Sequence, residues 1–104
     1  MKKQNPKPSM TLRPPNAQFE IARAHEDGVP KHGRFNWMDG DKPCSFYLDK
    51  ALRHIYEYQA GYNIDAQSGV HHLAKAIADL EIWYELEFLE IGKDDRPSVE
   101  GEGE

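Results

Sequence analysis

Two segments with helical spacing of apolar residues, separated by a short turn, limit the folds that this chain can adopt. They cover about residues 45–61 and 69–92, and the connection between them reads YNIDAQS. Apolar residues three and four positions apart mark the buried face of an amphipathic helix. A short connection between two such helices makes them antiparallel neighbours, so we predict a long helix hairpin. The predicted buried stripes are Leu48, Ala51, Leu52, Ile55 and Tyr58 or Gln59 in the first helix, and Leu73, Ile77, Leu80, Tyr84 and Ile91 in the second.

The ends of these helices are predicted from capping residues. Ser45 is a suitable N-cap and Gly61 a suitable stop for the first helix of the hairpin. Ser68 or Gly69 is expected to begin the second, which continues to about Gly92.

A shorter helix is predicted before the hairpin, in the stretch AQFEIARAHEDG. Asn16 can cap its beginning, and Gly28 with Pro30 ends it. Its apolar side is expected to consist of Phe19, Ile21 and Ala22.

Length and composition allow one domain. A chain of 104 residues, 38% apolar and 30% charged, cannot hold two independent cores. The first sixteen residues contain four prolines and no apolar period, whereas the last residues are rich in glycine and acids. We therefore predict an extended N-terminal arm over residues 1–15, a single all-α domain over residues 16–92, and a flexible acidic tail over residues 93–104.

The longest predicted helix is expected to extend beyond its partner in the hairpin. Its last turns carry apolar groups on more than one side, namely Ile82, Trp83, Leu86, Phe88 and Leu89. Self-association buries groups of this kind. The sequence thus predicts a small helical bundle completed as a homodimer or higher homo-oligomer.

Charge and hydropathy exclude several classes of protein. A net charge of -5 argues against binding nucleic acid, which requires a basic surface. No apolar run approaches the roughly 18 to 20 residues of a membrane span, and no signal peptide follows Lys2 and Lys3. The single Cys44 excludes an internal disulfide and is expected to be a packing residue. A local group of basic residues that suits a phosphate consists of Arg23, Lys31, Arg34 and Arg53.

The loop between the first helix and the hairpin contains Arg34, Phe35, Asn36 and Trp37, which a simple linker does not need. Two interpretations remain open. The loop is a ligand surface, or Phe35 and Trp37 bury themselves against the end of the bundle.

Histidines and carboxylates are the residues of this chain that can carry chemistry. Helical spacing puts His54 beside Glu57, and it puts His72 on the same helix face as Asp79. Asp65 lies in the connection, close to where the two helices meet. One interpretation is a divalent metal site between facing helices; the other is that these groups cap helix ends or form satisfied interior contacts. His71 lies about 100° away from the His72 face, so it is expected at the helix cap or in solvent.

Three strings taken together, KHGRFNWMDG, YLDKALRHI and AGYNIDAQSGVHHLAKAIADL, resemble the N-terminal domain of phage dATP/dGTP diphosphohydrolases over about residues 15–90. Members of this family show K-Y-G-x-x-N-W, A-x-R-H-L and G-E-x-x-D-x-x-S-G-x-x-H-L-x-H-A in the same order. This chain departs from the pattern at Tyr62, where the family often has Glu, and at Lys75, where it often has His. The matching positions are Gly33, Asn36, Trp37, Arg53, His54, Asp65, Ser68, Gly69 and His72.

The resemblance implies removal of pyrophosphate from a purine deoxynucleoside triphosphate in the cytoplasm of an infected bacterial host, by a MazG-like all-helical enzyme. It implies Mg²⁺ or another divalent cation, although the paired-carboxylate signature of MazG enzymes is absent from this sequence. The expected ligands of the ion or its water are His54, Asp65, His72 and Asp79, the first three of which are the expected catalytic residues. The expected substrate-binding residues are Arg34, Arg53 and Lys75 for the phosphates, and Asn36 and Trp37 for the purine.

Two other functions remain open from the sequence. A protein that binds and sequesters a nucleotide without turnover needs only the cationic and aromatic residues. A helical protein that acts on a host partner needs only its exposed apolar face and acidic tail, and it binds no nucleotide.

Overall fold

The computed structural model describes residues 7–98 and is built from helices. They are α1 (Pro15–Asp27), the one-turn α2 (Val29–His32), α3 (Cys44–Gln59) and α4 (His72–Leu89), with 3₁₀ turns at Met10–Leu12 and Asn36–Asp39. The described part contains no strand, only isolated bridges between Pro43 and Lys93 and between Ile64 and His71. The prediction of an all-α fold is therefore confirmed. None of the helices between residues 7 and 98 is long and apolar enough to span a membrane.

Helices α3 and α4 form the predicted antiparallel hairpin. Contacts between them join His54 to His72, Lys50 to Asp79 and Tyr47 to Trp83. Later residues of α3 therefore contact earlier residues of α4, which requires the two helices to run in opposite directions. Helix α1 packs on a different side of α4.

The helix beginnings differ from the prediction. Helix α1 begins at Pro15 instead of after Asn16, because proline at the first position fits helical φ and lacks only an N–H that has no partner there. Helix α3 begins at Cys44, before Ser45, and its cap comes from elsewhere in the chain. The carboxylate of Asp95 accepts hydrogen bonds from the Ser45 backbone N–H at 2.9 Å and from its hydroxyl.

Helix α4 begins at His72, three to four residues later than predicted. Ser68 and Gly69 belong to a turn in which Asp65 accepts hydrogen bonds from the Ser68 hydroxyl and the Gly69 backbone N–H. Gly69 has φ +76°, which glycine adopts readily and which a helix does not contain.

The buried face of α4 was also predicted wrongly. Its large apolar stripe is exposed, with Tyr84 at 66%, because α4 packs through small residues and not through this stripe. Ala74 and Ala78 meet Ile21 of α1 and Val70, whereas Trp83 and Leu86 meet Cys44 and Tyr47 of α3. Small side chains let helices approach closely. The predicted core residues that are exposed instead are Phe19, Ala22, Leu52, Ile55, Tyr58, Leu73, Ile77, Leu80, Tyr84 and Ile91.

Only part of the predicted overhang of α4 remains uncovered. Trp83 and Leu86 are buried, since Tyr47 stacks on the indole and the chain after α4 folds back against it. A Cβ on Gly92 would lie 2.6 Å from Trp83 Cζ3, so this close return requires glycine. Phe88 at the same end stays exposed at 69%.

Residues after Gly92 contact the body of the fold. The backbone carbonyl of Lys93 accepts a hydrogen bond from the Cys44 N–H at 2.8 Å, beside the Asp95 cap of α3. The predicted domain boundaries remain predictions. Residues 1–6 of the arm and 99–104 of the tail lie outside the described residues.

Candidate functional site

A pocket of about 400 Å³ lies between α3 and the connection that leads into α4. It brings together four of the sequence-predicted site residues, His54, Asp65, His72 and Arg53. The remaining lining residues are Lys50, Glu57, Tyr62, Ile64 and Ala66. The pocket therefore contains charges of both signs and two imidazoles.

The two imidazoles form a hydrogen-bonded pair. His54 Nδ1 and His72 Nδ1 are 2.9 Å apart, and the ring centroids are 5.1 Å apart. When both rings are neutral, one Nδ1 must carry the proton and the other must accept it, so the rings adopt opposite tautomers. Burial, helped by the positive charge of Lys75, lowers the pKa of His54 and favours its neutral form.

Opposite tautomers give the two outer nitrogens different roles. The ring that donates at Nδ1 keeps a lone pair at Nε2, and the ring that accepts at Nδ1 carries an N–H at Nε2. The pair as a whole can accept one proton and donate another.

Asp65 is held in place by the turn before α4. Its carboxylate accepts hydrogen bonds from the Ser68 hydroxyl at 2.8 Å and the Gln67 backbone N–H at 3.3 Å. Burial alone raises the pKa of Asp65, but these hydrogen bonds and Lys75 outweigh it and lower the pKa. Lys75 Nζ is 3.5 Å from Asp65 and donates a hydrogen bond to Asp27 at 3.0 Å. Lys75, an expected phosphate ligand, thus already forms ion pairs with two carboxylates.

Asp79 lies inside the hairpin with only 7% of its surface exposed. Its Oδ1 is 3.8 Å from Lys50 Nζ, and its buried Oδ2 has no hydrogen-bond partner among the described residues. Burial raises the pKa of Asp79 to about 6, although Lys50 and Lys75 oppose the shift.

His71 has a different role from its neighbour. Its Nδ1 accepts a hydrogen bond from the Leu73 backbone N–H at 3.0 Å, so the side chain is the N-cap of α4. Its own backbone N–H donates to Glu20 Oε2 of α1 at 2.9 Å. Of the two adjacent histidines, His71 caps the beginning of α4 and His72 lines the pocket.

The four expected metal ligands do not form one set. Within residues 7–98, no group of three or more His, Cys, Asp or Glu side chains is placed to hold a metal ion. The Nδ1 atoms of His54 and His72 are hydrogen-bonded to each other. The Asp65 carboxylate already accepts a hydrogen bond from Ser68 and pairs with Lys75. These residues as placed do not fit a bound Mg²⁺, which prefers several oxygen ligands in octahedral geometry.

The loop residues expected to bind the substrate are not among those that line the pocket. Trp37 is half-buried against the cluster of Cys44, Tyr47, Trp83 and Leu86. Arg34 lies over the ring of the exposed Phe35. The structure therefore does not bring Arg34, Asn36 and Trp37 to His54 and His72.

Two polar pocket residues, Lys50 and Tyr62, were not predicted from the sequence as site residues. Lys50 precedes His54 by four residues, a spacing that places both side chains on one helix face. Tyr62 was noted only as a departure from the family pattern.

Comparison with known proteins places this architecture in a family. The family model described as dATP/dGTP diphosphohydrolase, N-terminal, matches residues 1–96. A protein of Salmonella phage PMBT28 named dATP/dGTP diphosphohydrolase is 35% identical over 74 residues, which cover 71% of this chain. The aligned part covers 25% of that relative, so the chain spans about a quarter of its length. No solved structure matches the chain. The match over residues 1–96 shows that the chain belongs to the family of dATP/dGTP diphosphohydrolase N-terminal domains.

Proposed function

We propose that the pocket binds a purine deoxynucleoside triphosphate and takes part in its hydrolysis to the monophosphate and pyrophosphate. The observation that carries this proposal is the His54–His72 pair, which shares one pocket with the cations Lys50 and Arg53. The named activity of the phage relative supports the same substrate class. For a phage protein of this kind, the proposed place of action is the cytoplasm of the infected host.

The imidazole pair suits proton transfer in this reaction. Water attacks the α-phosphorus, the bond to the bridging oxygen breaks, and pyrophosphate leaves. The free Nε2 lone pair of one ring accepts the proton of the water, and the Nε2–H of the other can donate to a phosphate oxygen. Arg53 offsets the charge of the phosphates. The requirement for a divalent cation remains a proposal.

A second candidate is binding without turnover. It is favoured by the absence of a gathered metal-ligand set in residues 7–98 and by the engagement of Lys75 with Asp27 and Asp65. Such a protein would use the same pocket and would sequester the nucleotide.

Product analysis separates the two candidates. The purified protein is incubated with dGTP, dATP and the ribonucleotides, with Mg²⁺, Mn²⁺ or EDTA, and the products are resolved by ion-exchange chromatography. Hydrolysis is expected to give monophosphate and pyrophosphate, and His72→Ala is expected to reduce the rate by about a hundredfold, as loss of a general base does.

The adjacent His71→Ala variant is the matched control, because it also removes one imidazole, but one that does not line the pocket. His72→Gln, tested beside it, separates loss of proton transfer from loss of packing. A ligand-dependent rise in melting temperature without product would favour the binder. No hydrolysis and no thermal shift would reject both candidates.

We also propose that the protein acts as a homodimer or higher homo-oligomer. The support is the exposed stripe of α4, which residues 7–98 leave between 38% and 69% exposed. It is defined as Leu73, Ile77, Leu80, Tyr84 and Phe88. A second copy of the same stripe would bury it symmetrically. Light scattering on the wild type and on Ile77→Glu with Tyr84→Glu tests this; a wild type that is monomeric at micromolar concentration would overturn it.

A further inference from the structure

Lys50 differs from Lys75, the other lysine near the pocket. Lys75 is hydrogen-bonded to Asp27 and only 17% of its side chain is exposed, whereas the Lys50 side chain is 41% exposed. The Lys50 ammonium is 3.8 Å from Asp79 Oδ1. At this distance the opposite charges attract each other, but the contact is too long for a hydrogen bond. Its three donors therefore remain available to a ligand, while the buried carboxylate keeps the charge at the pocket wall.

A second contact restrains the same side chain. Lys50 Nζ lies 5.1 Å from the centroid of the Phe46 ring, a cation–π distance. An ammonium between an aromatic face and a buried carboxylate has few alternative positions. It lies one helical turn from His54, and both residues line the pocket.

We propose that Lys50, positioned by the buried carboxylate of Asp79, binds the phosphate chain of the ligand in this pocket. Lys50 is the binding residue, and Asp79 is a positioning residue that acts through it. This inference rests on the proposed function, and it gives the pocket a preference for ligands with more phosphate groups. The charge of each additional phosphate within reach strengthens the contact with the ammonium.

Lys42 provides a matched control. Its Nζ lies 5.4 Å from the centroid of the same Phe46 ring, but it is not among the residues that line the pocket. Lys42→Met and Lys50→Met therefore remove the same charge and the same kind of ring contact. Only the second removes a cation from the pocket.

The test is calorimetric titration with the α,β-imido analogue of dGTP, with inorganic triphosphate and with dGMP, after circular dichroism confirms that each variant is folded. Lys50→Met is expected to weaken binding of the analogue and of triphosphate about tenfold, the loss typical of one charge-assisted hydrogen bond. Binding of dGMP is expected to weaken less. Lys42→Met is expected to change each affinity by less than about twofold, as exposed charges do. Equal effects of the two variants would overturn the role of Lys50.

The positioning step is tested by a double-mutant cycle. Asp79→Asn is expected to weaken triphosphate binding several-fold when Lys50 is present and to add nothing when Lys50→Met is already in place. An equal loss in both backgrounds would show that Asp79 does not act through Lys50. If the wild type itself binds neither the analogue nor triphosphate, the proposed function fails, which is a different result from equal losses in Lys50→Met and Lys42→Met.

Discussion

The two ends of the α3–α4 hairpin are built by the same pair of helices but have opposite interiors. At one end, Tyr47, Trp83 and Leu86 form a cluster in which Leu86 is fully buried. At the other end, the interior between the helices holds His54 and His72 beside a pocket. One end is filled with apolar side chains. The other end contains buried polar groups at positions where apolar side chains would cost less free energy to bury.

From this difference we expect one end to supply stability and, under the proposed function, the other end to bind the ligand. Burying a polar group costs free energy unless it is hydrogen-bonded, and a buried oxygen such as Asp79 Oδ2, which has no hydrogen-bond partner within residues 7–98, remains a net cost. A chain selected only for folding would not need the second kind of interior. The following variants test whether the two ends separate in this way.

The largest expected effect is in the apolar cluster. Leu86→Ala removes a fully buried side chain, so the free energy of unfolding should fall by about 3 kcal/mol, while the affinity of the folded protein for a triphosphate should not change. Urea unfolding measures the first quantity and titration the second. Leu89→Ala is the control, because it removes the same atoms from an exposed position one turn away. Equal losses in the two variants would mean that the cluster is not the stabilising end.

Asp79→Asn should raise the free energy of unfolding, whereas Leu86→Ala should lower it. Burial raises the pKa of Asp79 from 3.8 to about 6, so the ionised carboxylate destabilises the folded protein above that pH. The variant should raise the free energy of unfolding by roughly 3 kcal/mol at pH 7, and the gain should fall as the pH drops below about 6 and disappear below about pH 3, where the acid is neutral in both states. Unfolding curves at neutral and at acid pH check this. A variant less stable than the wild type at pH 7 would show that the carboxylate contributes to stability.

The adjacent histidines give a smaller effect. His71→Ala removes the N-cap of α4 and should lower the free energy of unfolding by about 1 kcal/mol without reducing ligand affinity. His71→Asn should retain most of this stability, because asparagine caps helices well. Thermal unfolding and titration together show whether the cap and the pocket are separate; a loss of affinity in the first variant would contradict the comparison.

The sequence predicted the helices better than their packing. The apolar period and the short connection were enough to predict the hairpin, whereas a site between the helices that includes His54 and His72 was one of two interpretations that the sequence left open. The buried face of α4 could not be read from the sequence, since Ala74 and Ala78 pack closely while the larger Leu80 remains exposed. Lys50 was missed because its proposed role depends on Asp79, a partner 29 positions further along the chain.

The smallest expected effect concerns His54 and the pH dependence of stability. Its pKa is lowered from 6.5 by burial, so the unfolded chain binds more protons than the folded one just below that pH. The contribution of neutral His54 is therefore complete above pH 6.5 and is lost as the pH falls through the lower folded pKa. Asp79 opposes this change, because its protonation below about pH 6 favours folding.

The Asp79→Asn background removes that opposing effect. In it, the free energy of unfolding should fall more between pH 7.5 and pH 5.5 with His54 than with His54→Gln, whose amide does not titrate. The histidines that do not contact His54 are common to both proteins and cancel in the difference, whereas His72 is hydrogen-bonded to His54, so the difference reports on the pair. Parallel pH dependences would mean that the imidazole of His54 is as well hydrated in the folded protein as in the unfolded chain. The hairpin would then have a buried apolar interior at one end and a solvent-exposed polar surface at the other, instead of two buried interiors of opposite kind.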